Sequence, residues 1–212
     1  MFDSREFADL TCESVKSSGR GNLAYLAATG KIELAIRDLL GALITNKFPN
    51  LTAAREFKRR DLVILDDGVP RAVIEGKMWI SFEANFPSKL HNQNPKEGLV
   101  AASKSDIFKM RSSKFLANCE KFTSTVLVGA DIRQLEQRHR HAIKYANWYR
   151  RGLLNGADLV TAHDQGVSKF VDSMKSLGSV ASARLFNESA FGMPFLADVV
   201  ICQCSAGCDA EN

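Results

Sequence analysis

The sequence predicts an α/β protein built as a single domain over residues 1–212. Three observations carry this. Stretches with apolar residues at three- and four-residue spacing alternate with short β-branched runs. The first two of those runs flank a turn signal and read as a hairpin. At 212 residues, 45% of them hydrophobic and 25% charged, the chain has the size and the ordinary globular composition for one well-packed core.

The order of elements follows from the pattern. Residues Ser4 to Ser17 place Phe7, Leu10 and Val15 at helical spacing, and Ser17-Ser18-Gly19-Arg20-Gly21 ends that helix. This glycine-containing break is not a phosphate-binding loop, because it lacks the Gly-Lys-Ser/Thr ending and follows no strand. From Asn22 to Thr45 a second helix is expected, with Ile32, Ile36, Leu39, Leu40 and Leu43 as its apolar stripe. Pro49 and the polar stretch after it read as a link to the hairpin. Residues Ile80 to Gly98, with two prolines and three asparagines, read as a long loop carrying His91. Leu99 to Leu116 reads as a helix, Thr123 to Gly129 as a strand, and Ile132 to Arg151 as a basic helix. Gln165 to Leu177 is an amphipathic helix, Val180 to Phe186 a strand, and Phe195 to Cys202 a buried strand before a loose tail. No repeat or low-complexity segment interrupts this order.

Composition excludes some classes. No run approaches the roughly 18 apolar residues of a membrane span, and the N-terminal MFDSREFADL has no apolar core of a signal peptide. Five cysteines, an odd number, predict a reducing compartment and hence the cytoplasm. Cys202, Cys204 and Cys208 could supply three sulfurs to zinc, but structural zinc favours four ligands with a wider first spacing, so a loose tail is the preferred reading. Net charge is +4, unevenly spread: Lys104 to Arg151 holds eleven Lys/Arg against four Asp/Glu, a local +7, and the remainder is about −3. That asymmetry fits an anionic partner.

The chemistry concentrates between Arg60 and Trp79, RDLVILDDGVPRAVIEGKMW. Asp61 opens the run Leu62-Val63-Ile64-Leu65, Asp66-Asp67-Gly68 is a turn, and Ala72-Val73-Ile74 leads into Glu75, Gly76 and Lys77. Glu75 and Lys77 share a strand face, because side chains two apart point the same way. A carboxylate and an ammonium in an otherwise apolar strand are costly unless something uses them. The alternative is a hairpin with one wet face whose charges pair across strands.

An acid, a spacer and an acid-x-Lys triplet on the next strand resemble the motif of the PD-(D/E)xK nuclease superfamily, with its restriction-endonuclease-like fold. Asp61 matches the first acid, Glu75 the second and Lys77 the lysine. The chain departs from the pattern at Arg60, where the family often has proline, and at Gly76, where an apolar residue is commoner. The resemblance implies a mixed central β-sheet flanked by α-helices, with the site at one end of the hairpin. It implies a metal-dependent nuclease, more readily an endodeoxyribonuclease than one acting on RNA, and allows a homodimer. Asp61, Glu75 and the Gly76 carbonyl would hold Mg²⁺, for which Mn²⁺ could substitute, and Lys77 would act on the attacking water. Glu33, on the helix before the hairpin, matches a further family carboxylate; the competing reading is a surface i, i+4 pair with Arg37. A module that keeps the fold without cutting remains the alternative function.

Two further expectations concern geometry. A three-residue loop, Asp66-Asp67-Gly68, would set Asp61 opposite Val73 and diagonal to Glu75, so an odd loop or a bulge is expected. Arg138, Arg140 and Lys144, on the expected basic helix, are candidates for phosphate contact, against the reading of a solvated basic face. His139 and His141 lie two apart, which on a helix points them apart and excludes a metal pair.

Overall fold

The computed structural model describes residues 2–19, 21–133, 135–152 and 156–204. Its centre is a six-stranded mixed sheet, in the order β1-β2-β3-β4-β6-β5. The strands are β1 (Leu51–Phe57), β2 (Arg60–Asp66), β3 (Val69–Ile80), β4 (Glu120–Ala130), β5 (Gly178–Ala190) and β6 (Met193–Cys204). Only β3 and β4 pair in parallel; every other neighbouring pair is antiparallel. A parallel pair needs a crossover, and the segment between β3 and β4 supplies it with a 3-10 turn at Ser81–Asn85, α4 (Pro87–Leu90) and α5 (Leu99–Arg111).

Both faces of the sheet are covered. On one face α1 (Ser4–Val15) and α3 (Ile32–Lys47) bury Phe7, Leu10, Leu40 and Ile44 against Leu62, Ile64, Ala72, Ile74, Phe122 and Ile201. On the other, α5 and α7 (Leu159–Met174) bury Leu99, Ile107, Met110, Val167 and Phe170 against Val63, Val73, Leu127, Val200 and Cys202. The alternation Leu62/Ile64 against Val63 explains why β2 reads as an unbroken apolar run: each face has its own helix layer. α1 starts with a capping box, Asp3 accepting from the Arg5 and Glu6 amides while the Glu6 carboxylate takes the Asp3 amide.

Several expectations are corrected. The stretch after Pro49 is not a link but strand β1, which puts a third antiparallel strand ahead of β3. The Asn22–Thr45 helix is two helices, α2 (Asn22–Thr29) and α3, broken at Gly30-Lys31, where Gly30 takes an extended conformation. The helix ending at Leu116 stops at Arg111, and a separate 3-10 turn covers Lys114–Leu116. The expected helix over 132–151 is mostly absent. In its place are a 3-10 turn at Gln137–His139 and the short α6 (Ala146–Gly152). The reason is in the side chains: Ile132, Ile143 and Tyr149 are buried, but Glu136 to Ala142 offers no apolar stripe to hold a helix on the core. α7 begins six residues before the expected Gln165, at the Asp158 cap, which accepts from the Thr161 amide.

Among the described residues no helix is long and apolar enough to cross a membrane. Cys202 is buried and Cys204 half-buried on β6; Cys208 lies outside the described residues.

Candidate active site

The hairpin geometry differs in detail from the expectation. Asp66 pairs with Val69, so the loop is two residues, Asp67-Gly68, both left-handed at φ 46° and 80°. This is the hairpin turn that Asp-Gly favours. A bulge between Ile64 and Leu65 on the register then leaves Leu62 opposite Ile74. The ladder stops there, short of Asp61, whose carboxylate lines a pocket with Glu33, Leu62, Ile74 and Gly76 on the α3 side and does not face Val73. Glu75 and Lys77 share a face, where they meet Arg60 and Asp106, and Gly76 between them points to the other. A bulge is thus present, as expected, and it sets Val63 opposite Val73.

Asp61 lies at the strand end, where the β2–β3 ladder has finished. Its Oδ2 accepts from the Gly76 amide at 2.7 Å, taking the place of a ladder acceptor. The N–H and C=O of one strand residue point to the same side, so the Gly76 carbonyl is also directed toward this edge. Gly76, Ser124 and Val126 line a small pocket together with Glu33, Arg37 and Asp61. A side chain at position 76 would project into that pocket.

Glu33 enters from α3. Arg37 does not pair with it: the guanidinium binds Asp38 at 2.9 Å and Glu56 at 2.6 Å. The surface-pair reading of Glu33 is therefore set aside. Its Oε2 is buried without a hydrogen-bond partner among the described residues. Burial pushes its carboxyl above the usual range, and Asp61 adds to that while Lys31 and Lys144 oppose it.

Glu75 is the most perturbed acid here. Burial, then the charge of Asp61, pushes it up to about 7, against the hydrogen bond from Arg60 and with a further push from Asp106. Arg60 Nη1 donates to Glu75 Oε1 at 3.1 Å, and Arg60 Nη2 donates to the Lys109 carbonyl at 2.8 Å. Lys77 Nζ lies 2.7 Å from Asp106 Oδ2, while Asp106 Oδ1 accepts from Lys109 at 3.0 Å. Asp106 sits on α5 and is buried.

Four carboxylates from four elements thus lie near this part of the hairpin, Glu33 and Asp61 on the α3 side and Glu75 and Asp106 with Arg60 and Lys77 on the α5 side. Asp61 is electrostatically coupled to both Glu33 and Glu75. The donor set fits a hard divalent ion, which takes carboxylate and carbonyl oxygens. Three buried polar atoms without partners among the described residues belong to the same neighbourhood: Glu33 Oε2, Arg60 Nε and Thr123 Oγ1, the last on the strand residue paired with Glu75. The side chains are nevertheless arranged around internal cations. Among the described residues no three His, Cys, Asp or Glu side chains already stand in a metal-holding group.

Sequence reasoning missed two participants. Arg60 was read only as a replacement for proline, and Asp106 only as part of a helix. The signal for Asp106 was available: an aspartate between Ser103 and Ile107, at core positions of α5, is buried and must be paired. The basic residues are dispersed. Arg138 is exposed in the 3-10 turn and pairs with Glu136 at 2.7 Å, and Arg140 and Lys144 are exposed, none of them on an α-helix. Lys144 acts on Glu33 electrostatically, which places it on the site side. His91 is exposed at the end of α4.

A second cluster lies elsewhere. His163 is fully buried, with Nδ1 2.8 Å from Ser81 Oγ and Nε2 2.7 Å from Asp198 Oδ2. Arg184 completes it, donating to Asp198 at 2.5 Å and to Asp164 at 2.5 Å. The residue types are those of a hydrolase triad, but Ser81 is also wholly buried, so no substrate reaches its hydroxyl. Gly166 packs its Cα on the Ser81 carbonyl, where a Cβ would come within 2.1 Å. The network pins α7 to the sheet.

No protein-family model, curated protein or solved structure matches the chain.

Proposed function

We propose that the chain is a metal-dependent nuclease of the restriction-endonuclease-like class, hydrolysing phosphodiester bonds and taking DNA ahead of RNA. The observation that carries this reading is the nearness of Asp61, which accepts from the Gly76 amide, to both Glu33 and Glu75, with Glu75 raised to about 7 by burial and then by the charge of Asp61. Burial first, and then the charge of Asp61, raises the carboxyls of both Glu33 and Glu75, a crowding of negative charge that a bound cation relieves. Asp61, Glu75 and the Gly76 carbonyl would hold Mg²⁺, or Mn²⁺ in its place, with Glu33 holding it directly or through water. A divalent ion there would neutralise phosphate charge and acidify a bound water.

The remaining work falls to this chain's own groups. Lys77, oriented by Asp106, lies on the strand face of Glu75, where it would orient the attacking water and offset charge developing on the phosphate oxygens. Arg60 neutralises Glu75 until the site is loaded. Arg138, Arg140 and Lys144 would then contact the strand outside the site, Lys144 from the Glu33 side.

A second reading has its own observation. Glu75 and Asp106 are already paired with Arg60 and Lys77, as they would be in a nucleic-acid-binding module that keeps the fold and does not cut. Incubation of the protein with a panel of single- and double-stranded DNA and RNA, with Mg²⁺ or Mn²⁺ and with EDTA, separates them. Cleavage that requires the ion supports the nuclease; binding without cleavage under every condition supports the module.

A further inference from the structure

The sheet contains three two-residue hairpin turns whose central residues are both left-handed. Two of them, Asp67-Gly68 at φ 46° and 80° and Phe191-Gly192 at φ 54° and 74°, have glycine in the second place. The third joins β1 to β2. Phe57 pairs with Arg60, so the turn residues are Lys58 and Arg59, at φ 50° and 65°, and Glu56 just before them is left-handed too, at 52°. Such a turn ordinarily takes Asn-Gly or Asp-Gly. Long side chains held left-handed are strained, and strain of this kind gathers at functional sites.

The two basic residues are also free of acidic partners. Among the described residues neither Lys58 nor Arg59 makes an ion pair, and both are exposed. Lys58 Nζ lies 4.6 Å from the centroid of the Phe115 ring and 5.8 Å from that of Phe57, so its stem is steered by aromatic faces. Glu56, the turn's own acid, is engaged by Arg37 at 2.6 Å. The next residues along the chain are Arg60, bonded to Glu75, and Asp61 itself. Lys114, exposed beside Phe115, extends the same positive rim. A pair of unneutralised cations is therefore fixed two residues from a cluster of carboxylates. A phosphate backbone matches that juxtaposition, since one phosphate can sit on the rim while its neighbour meets the acidic centre.

We infer that the β1–β2 tip, Lys58 and Arg59, is a phosphate grip that seats a nucleic-acid strand against the Asp61/Glu75 centre. This rests on the reading of that centre as one that acts on nucleic acid. The strain in the turn is the cost of keeping two long cationic side chains where Asn-Gly would relax the backbone.

Two variants test it. Lys58→Gln with Arg59→Gln removes the charges and keeps side-chain length. Lys58→Asn with Arg59→Gly removes them and relaxes the turn. Binding of fluorescein-labelled single-stranded DNA is followed by anisotropy in EDTA across a salt series, and thermal unfolding is measured alongside. The parent binds, and both variants flatten the plot of log K against log[salt] by about 1.4, at roughly 0.7 per phosphate contact on a single strand. The Asn-Gly variant also melts at a higher temperature than the parent. A slope left at the parent value by both variants, or a parent that binds no DNA, overturns the inference. Failure of the nuclease reading is distinguishable. A parent that binds through this grip but never cleaves with Mn²⁺ loses only that reading, and a parent that cleaves while both variants keep its salt slope loses only the grip.

Discussion

Lys77 Nζ stands 2.7 Å from the Oδ2 of Asp106, a buried carboxylate on α5 that also holds Lys109 at 3.0 Å. The lysine of the hairpin is thus positioned from the opposite layer, by a residue far along the chain. Replacing Asp106 by Asn leaves two ammonium groups without their counter-charge. We expect Asp106→Asn to lose about 1–3 kcal/mol of stability in urea unfolding, less than the roughly 3–5 of a fully buried pair because Lys77 is partly exposed. A midpoint at the parent value would show that the pair holds nothing in place.

Arg60 sets a second expectation. Its guanidinium bonds to Glu75 and spans to the Lys109 carbonyl, so it competes with any external cation for the same carboxylate. Arg60→Gln should bind Mn²⁺ more tightly than the parent in calorimetric titrations run over a pH series above neutral, compared where the affinity of each has levelled off. An affinity unchanged or lowered would mean that Arg60 assists the ion instead of opposing it.

The elevation of Glu75 predicts a pH dependence whose sign is fixed. Its carboxyl titrates near 7 in the fold against 4.5 ordinarily, so the folded state holds this proton where the unfolded chain has released it. Its contribution to stability is full below about pH 4.5 and is lost as pH rises through about 7. Glu75→Gln removes that titration. Comparing urea midpoints of parent and variant at about pH 5 and about pH 8, the variant should gain relative to the parent at the higher pH. The reverse order would place Glu75 in a charge-stabilising environment.

How far the sequence disclosed this arrangement depends on the kind of residue. Asp61, Glu75 and Lys77 were legible because a charge in an apolar strand violates the local pattern, and period-two geometry then fixes its face. The turn was legible from Asp-Gly and a bulge was expected, but the two-residue loop was not, and the resulting register sets Val73 opposite Val63 instead of Asp61. β1 escaped notice because Thr52-Ala53-Ala54-Arg55-Glu56 is mostly exposed or half-buried and carries no apolar alternation. Arg138, Arg140 and Lys144 were assigned to a helix on charge density alone, although no apolar stripe supported one. Arg60 and Asp106 could not be placed from sequence, since their partners, the Lys109 carbonyl and Lys77, are set by how α5 lies on the sheet.

The Ser81–His163–Asp198 network gives a negative control. We expect His163→Ala to cost about 2–4 kcal/mol, because both ring nitrogens lose buried partners and their partners lose them. Ser81→Ala should leave phosphodiester cleavage at the parent rate. Loss of cleavage in a well-folded Ser81→Ala variant would move the chemistry from the hairpin to this cluster.

The division of labour in the hairpin is tested most directly by one experiment. Mn²⁺ binding and the cleavage time course are measured for the parent, Lys77→Ala, Asp61→Ala and Glu75→Ala, each with and without EDTA. The account predicts that Lys77→Ala binds the ion nearly as the parent does yet cleaves about 10²–10³ more slowly, the usual loss of one preorganised electrostatic group. It predicts that the two acid variants lose the ion and the activity together. Cleavage that survives EDTA, or a Lys77→Ala variant that cuts at the parent rate, would contradict it.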